Sequence, residues 1–158
     1  MNLNLYGCIH NNKEDWIMID CGVTFSQAGN PGIDLQMADP NFIAKKKNNL
    51  LGIILTHAHE DHIGAMPFIW PHFKCPIYTT KFTAALLEEK LYEHNIIFED
   101  KIIIIDDKDQ FDVGLFNIKP IGLSHSIPEM NALVIQTPNL KIFHSCLLYT
   151  SDAADESR

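Results

Sequence analysis

Leu51-Gly52-Ile53-Ile54-Leu55-Thr56-His57-Ala58-His59-Glu60-Asp61-His62-Ile63-Gly64 decides how this chain is read. An apolar run short enough for a buried strand stops at Thr56, and the next six residues hold three imidazoles and two carboxylates. A hydrophobic core has no use for such a group. If strand alternation persists, His57 and His59 face one side, and Asp61 and His62 follow where the chain must turn. Nitrogen and oxygen donors then collect at the carboxyl end of one strand. Neutral imidazole with carboxylate suits zinc best, although iron and manganese tolerate the same set. One such histidine alone would read as a surface residue, but three beside an aspartate do not.

The remaining composition bounds what can surround this group. The chain has 158 residues, 46% hydrophobic and 20% charged, which suits one globular core and leaves no length for two. Its apolar runs are too short to span a bilayer. Residues 1–5 lack the basic region and long apolar stretch of a signal peptide, so a cytoplasmic protein with no membrane partner is expected. Cys8, Cys21, Cys75 and Cys146 form no Cys-x-x-Cys pair, which argues against a zinc ribbon or disulfide framework and for isolated buried thiols. The net charge of -8 has the wrong sign for a surface that grips a polyanion.

Taken in order, residues 2–6 and 16–19 read as strands joined through the turn-rich stretch 10–15, an opening hairpin. Asp20 ends it beside Cys21 and Gly22, where simple turn chemistry is one explanation. Residues 25–39 are rich in Gly, Asn, Pro, Gln and Ser and read as a surface loop. Asp39-Pro40 starts a short helix running to Lys47, with aspartate as cap and proline in the first helical position. Lys45, Lys46 and Lys47 then read as a solvated helix end rather than a polyanion contact. Residues 64–70 suggest a helix stopped at Pro71, and residues 76–79 a strand. Residues 81–92 read as an amphipathic helix that buries Phe82, Ala85, Leu86, Leu87 and Leu91. His72 and His94 join no cluster. Residues 101–105 form a β-branched strand, and the acidic turn at 106–109 lacks the glycine and distal glutamate of a calcium loop. Strand pieces flank Gly114, and residues 131–136 and 141–143 are further strands. His125 follows another apolar strand end and would be dismissed on its own.

Thr56-His57-Ala58-His59-Glu60-Asp61-His62-Ile63-Gly64-Ala65 resembles the metal-binding signature of the metallo-β-lactamase superfamily. A longer series points to its ribonuclease J family of β-CASP metallo-hydrolases: Asp20-Cys21-Gly22-Val23, Gly32-Ile33-Asp34, the histidine motif, Pro76-Ile77-Tyr78 and Ser124-His125-Ser126-Ile127-Pro128-Glu129 follow that family's order. The resemblance implies an α/β fold, the αββα four-layer sandwich, incomplete here, with residues 1–145 as a partial metallo-β-lactamase domain. It implies an RNA-binding, zinc-dependent ribonuclease, acting as endonuclease, 5'-exonuclease or both, with two Zn2+ ions and homo-oligomers in the intact family. His57, His59 and His125 would hold one zinc, while Asp61 and His62 contribute to a second and to catalysis. On the same resemblance Asp20 holds metal-binding histidines in orientation.

Residues 146–158 fit neither the preceding strand pattern nor the family. They resemble a translated sequencing-library adapter and are expected to be a non-native tail, kept out of the fold reasoning. In the family the place of Leu147 holds an aspartate that bridges the two metals, and a further histidine ligand and the β-CASP domain come later. Without them one zinc is expected to stay, a second to bind weakly, and this chain to cleave little or no RNA. Two other readings stay open: another hydrolase of the superfamily, acting on a thioester or lactone, and a zinc-binding fragment without catalysis.

Overall fold

Strands rich in isoleucine, buried on both faces, lie at the centre of the molecule. The computed structural model describes residues 1–25, 32–98, 101–106 and 109–146. β1 (Asn4–His10) and β2 (Lys13–Ile19) are the expected opening hairpin, and the pairing extends further than the apolar pattern indicated. Asn11 and Asn12 join them with φ of 48° and 62°, the left-handed values a two-residue hairpin turn demands and asparagine tolerates. β3 (Val23–Phe25) and β4 (Leu35–Met37) pair as a separate ribbon, so the segment read as a loop carries short strands at its ends. β5 (Leu50–Ile54) lies parallel to β2, and β6 (Ile77–Thr79) and β7 (Ile102–Ile104) extend a sheet of order β1-β2-β5-β6-β7.

The second sheet is antiparallel, of order β11-β10-β9-β8, built from β8 (Phe111–Val113), β9 (Phe116–Gly122), β10 (Asn131–Gln136) and β11 (Lys141–His144). Gly114, at φ 59°, makes the turn between β8 and β9. Four helices complete the described chain: α1 (Asn41–Ala44), α2 (Glu60–Ile63), α3 (Met66–Ile69) and α4 (Lys81–Glu93).

Period-two alternation sorts the core into two clusters. Met18, Ile53, Leu55 and Ile77 point to one side, against Ile43, Ile63, Met66, Ile69, Leu87 and Leu91 from the helices. Ile17, Ile19 and Ile54 point to the other, against Val113, Phe116, Ile118, Leu133 and Ile135 of the antiparallel sheet. The layers are therefore helix, sheet, sheet, in agreement with an incomplete αββα sandwich. Among the described residues every helix contributes its core side chains to the first cluster, and no described helix is long and apolar enough to cross a membrane. All four cysteines are buried and free, as expected.

Several local expectations are corrected by long-range contacts. α1 is one turn long, not a helix to Lys47: Pro40 takes the cap position itself, Asp39 Oδ1 accepts the Asn41 N–H at 2.9 Å, and a 3-10 turn follows at Lys47–Asn49. β2 is the cause, because Asn49 donates to the Glu14 carbonyl at 2.7 Å while the Lys46 ammonium pairs with the Glu14 carboxylate and sits 5.5 Å from the Trp16 ring centre. Lys46 is thus engaged rather than simply solvated, whereas Lys45 and Lys47 are exposed. The helix read over 64–70 is shorter, α3 ending at Ile69, and Pro71 lies in the 3-10 turn that follows it, Trp70–His72. On α4 the buried face is Thr83, Ala84, Leu87 and Leu91, and Ala85 and Leu86 are exposed. At 100° per residue those two lie well round from Leu87 and Leu91. The acidic turn falls partly, and residues 147–158 entirely, outside the described residues.

One glycine sets how closely the segment after β2 approaches α2. A Cβ placed on Gly22 would lie 1.6 Å from the Asp61 carbonyl oxygen, and both neighbours there are backbone that cannot swing aside. Gly22→Ala is expected to lower the unfolding free energy by more than about 3 kcal/mol, the upper range for overpacking. A urea titration giving a loss below about 1 kcal/mol would show that the two segments are not held together.

Candidate metal centre

Beyond β5 the chain stays extended through His59, whose ψ of 149° lets it cap α2. The carboxyl ends of parallel strands are where open α/β sheets leave a crevice, and Thr56 and His57 sit there, each 1% exposed. Asp20 meets them from the end of β2. It is fully buried and adopts a left-handed backbone, φ 60°, that turns its carboxylate back over the strand ends. Asp20 Oδ1 accepts the Thr56 N–H at 2.8 Å, both oxygens lie 2.9 Å from the Thr56 hydroxyl, and Oδ2 lies 2.7 Å from His62 Nδ1. This carboxylate therefore ties two parallel strands together and fixes a histidine ring in the same act.

His57, His59 and His125 each present a ring nitrogen to a common point, all within 4.8 Å of one another. His57 Nε2 and His59 Nδ1 are 3.0 Å apart, as the alternation argument requires. Nitrogens held tetrahedrally at the usual zinc distance lie about 3.4 Å from each other, so this spacing fits three ligands of one divalent ion. His125 arrives from the loop after β9, its ring centre 4.9 Å from that of His59 and 5.4 Å from that of His57. Behind the cluster, Ser126 Oγ is 3.4 Å from His59 Nε2, and Thr56 Oγ1 is 3.1 Å from His57 Nδ1. The nitrogens that face the cluster are thereby distinguished from those that face protein.

Asp61 and His62 lie beside this triad on α2. His62 is buried, its ring centre 4.0 Å from that of His57, and its Nε2 is 3.3 Å from Asp61 Oδ2, whose side chain is half exposed. All six residues singled out in the sequence, Asp20, His57, His59, Asp61, His62 and His125, thus belong to one site.

Three more participants were not foreseen. Thr56 lay inside the motif but was read only as a strand end. Asn2 joins through hydrogen bonds to a partner 59 residues away, and no local pattern announces that. Cys146, placed in the foreign tail by the sequence reading, is buried with its sulfur 2.9 Å from Thr56 Oγ1 and 3.5 Å from His57 Nδ1, so that His57, His62 and Cys146 make a second group of potential ligands. Nearby, the Tyr6 hydroxyl is 2.9 Å from His144 Nδ1. A cavity of about 610 Å³ lies along the segment after His125, lined by Lys81, Ile105, Leu123, Glu129 and Asn131 among others, and none of the clustered histidines lines it.

The electrostatics favour uncharged donors. Burial first, then the neighbouring imidazoles of His62, His59 and His125, push the His57 pKa down to about 3. His59 is lowered for the same reasons, burial ahead of His125. A neutral imidazole keeps its lone pair for a metal without proton competition. Cys146 behaves oppositely: burial, reinforced by Asp20, pushes its thiol up to about 12, which disfavours the thiolate that metals bind.

The sequence profile of the metallo-beta-lactamase superfamily matches residues 7–128. Ribonuclease J of Sinorhizobium meliloti is 44% identical over 145 residues, which is 92% of this chain and 26% of that protein. Ribonuclease J of Helicobacter pylori is 36% identical over 82% of the chain and 19% of its own length, and that of Corynebacterium glutamicum 36% over 86% and 18%. The chain therefore spans about a quarter or less of the relatives it matches. Among solved structures, the metallo-beta-lactamase fold protein YhfI from Bacillus subtilis superposes with a TM-score of 0.61 at 17% identity, covering 88% of this chain and 53% of that one. The flavodiiron protein from Giardia intestinalis gives 0.57 at 16%, covering 98% and 37%.

Proton linkage at His57 is measurable. Its folded pKa of about 3 lies below the ordinary 6.5, so between those values the unfolded chain holds a proton that the folded one refuses. Stability present above pH 6.5 is then lost as pH falls toward 3, by at most about 1.4 kcal/mol per unit from this group. Urea titrations of metal-free protein between pH 7 and 4.5 are expected to show a shallower decline for His57→Gln than for the parent chain. Parallel declines would mean that His57 titrates normally.

Proposed function

Because this chain belongs to the metallo-β-lactamase superfamily, we propose that it is part of a zinc-dependent ribonuclease that hydrolyses RNA phosphodiester bonds as an endonuclease, a 5'-exonuclease or both. The observation that carries this reading is the convergence of His57, His59 and His125 on one point with Asp61 and His62 alongside. Similarity to several proteins named ribonuclease J, at 36 to 44% identity over most of the chain, favours RNA over a thioester or lactone substrate.

In this reading His57, His59 and His125 hold one zinc ion, and Asp61 and His62 contribute to a second. A bound divalent ion supplies Lewis acidity, making water acidic near neutral pH and offsetting charge that builds on the phosphate. The residues do the rest. His57 stays neutral at working pH and keeps its ligand nitrogen free of protons. Asp20, through His62 Nδ1, fixes that ring's tautomer and turns Nε2 toward Asp61. Asp61, half exposed, is the carboxylate that would contribute to the second ion and, in the same reading, orient an attacking water. The acidic net charge would be no obstacle to a polyanion at this point, since cations held there would offset the charge of the carboxylates.

We assign residues 1–145 to the superfamily domain and read 146–158 as a non-native tail, with Leu147 in the place of the bridging aspartate. With Leu147 there, this chain retains one zinc firmly, cleaves RNA poorly and belongs to an enzyme that assembles as a homo-oligomer. A second reading, a zinc-binding fragment without catalysis, draws on the group of His57, His62 and Cys146, whose members are all buried like those of a closed structural site. The raised thiol pKa of Cys146 weighs against it.

Elemental analysis after gel filtration separates the two. His59→Ala is expected to reduce bound zinc from about one ion per chain to less than about a tenth, since an open site on two imidazoles holds zinc weakly; Cys146→Ala is expected to leave it unchanged. The reverse pattern would establish the closed site and remove the catalytic one. Efficient cleavage of 5'-monophosphorylated RNA by this chain would contradict the expected loss of the second ion.

A further inference from the structure

We propose that Asn2 is a positioning residue for a second cation: its side-chain amide nitrogen lies against both Asp61 Oδ2 and His62 Nε2, and a divalent ion binding to those two atoms must displace it. The inference rests on the assignment of Asp61 and His62 as ligands made above. Asn2 is 7% exposed and anchored by its backbone, which donates to the Asp61 carbonyl at 2.8 Å and accepts the Gly22 N–H at 2.8 Å. Its Nδ2 lies 3.0 Å from Asp61 Oδ2, 3.0 Å from His62 Nε2 and 3.2 Å from the Asp61 carbonyl.

Every one of those partners is an acceptor. The Asp61 oxygens have no proton to give, and with Nδ1 2.7 Å from the Asp20 carboxylate the tautomer of a neutral His62 ring is the one that donates there and accepts at Nε2. The environment thus dictates that the amide nitrogen, not its oxygen, faces them. His62 Nε2 and Asp61 Oδ2 are 3.3 Å apart, close to the separation of about 3.4 Å between neighbouring ligands of a tetrahedral zinc. An NH2 group 3.0 Å from both engages the two atoms that an ion would use. It is a neutral substitute for a charge, and a loose one, because two hydrogens serve three acceptors. Asn2 therefore holds Asp61 and His62 together through hydrogen bonds and competes with an ion for the same acceptor atoms.

A merely structural amide predicts the opposite response to its removal, which makes the idea testable on the full chain. Zn2+ is titrated calorimetrically into metal-free parent, Asn2→Ala and Asn2→Asp, with elemental analysis to count ions. The first binding event, at His57, His59 and His125, is expected to be the same in all three. The second is expected to tighten about three- to tenfold in Asn2→Ala, because no hydrogen bonds to the ligands need breaking. In Asn2→Asp it is expected to tighten by more than about tenfold, as a second carboxylate replaces the donor. The metal-free Asn2→Asp protein is also expected to melt below the parent, since the introduced carboxylate repels that of Asp61, and to recover more on adding Zn2+. If that variant fails to fold without metal, Asn2→Ala carries the test. An unchanged or weaker second event in Asn2→Ala, with the first intact, overturns the displacement role alone. Absence of the first event in the parent chain overturns the metal assignment and this inference together.

Discussion

The buried carboxylate of Asp20 is the constraint on which the rest depends. An ionised group with no exposed surface is costly unless every oxygen is matched, and here a backbone N–H, a hydroxyl and an imidazole share the task. The strained left-handed backbone at Asp20 persists because these bonds over-determine it. Their effect is mechanical as well as electrostatic. The ends of β2 and β5, which no turn connects, are stitched at the point where β5 hands over to the histidine motif, so the sheet and the site share a single fastening.

Around that fastening the candidate ligands come from different layers. His57 and His59 continue a strand of the mixed sheet, Asp61 and His62 belong to a one-turn helix, and His125 hangs from the antiparallel sheet. The packing of Ile17, Ile19 and Ile54 against Phe116, Ile118, Leu133 and Ile135 brings the third imidazole within reach of the first two. A metal there would be held by the interlayer core as much as by its ligands, which couples metal affinity to folding in both directions. α2 itself is too short to be stable alone; its place comes from the contact of Gly22 with Asp61 and the N–H of Cys21 bonded to the His62 carbonyl at 2.6 Å.

The charge balance of the site favours a cation. Several imidazoles crowd together with two carboxylates at one edge, and the protein meets this by keeping His57 neutral and by inserting polar but uncharged groups, Thr56 and Asn2, between the donors. Neutral placeholders satisfy hydrogen bonds without offsetting charge. The hydrogen bonds of Thr56 and Asn2 thus hold the candidate donors in place while leaving their charge for a divalent ion to offset.

Much of this was legible along the chain. Strand alternation placed His57 and His59 on one side, apolar runs bounded by turn residues marked most strands, and the spacing of the histidine motif with the segment around His125 named the superfamily and its candidate ligands. These features are local, set by a repeat of two residues in a strand or by a short motif, and so are written in consecutive letters. What the sequence left undecided depends on register between distant segments. Whether Asp20 was a turn residue or a partner of His62 was settled by the parallel pairing of β2 with β5. The helix expected to run to Lys47 was cut short by Glu14, more than thirty residues earlier. The exposed side of α4 emerged only once that helix lay on its sheet, and Asn2 became part of the site only because the first residues return to α2. Side chains far apart in the chain meet where layers stack, and stacking is a property of the whole core that no short stretch of residues contains.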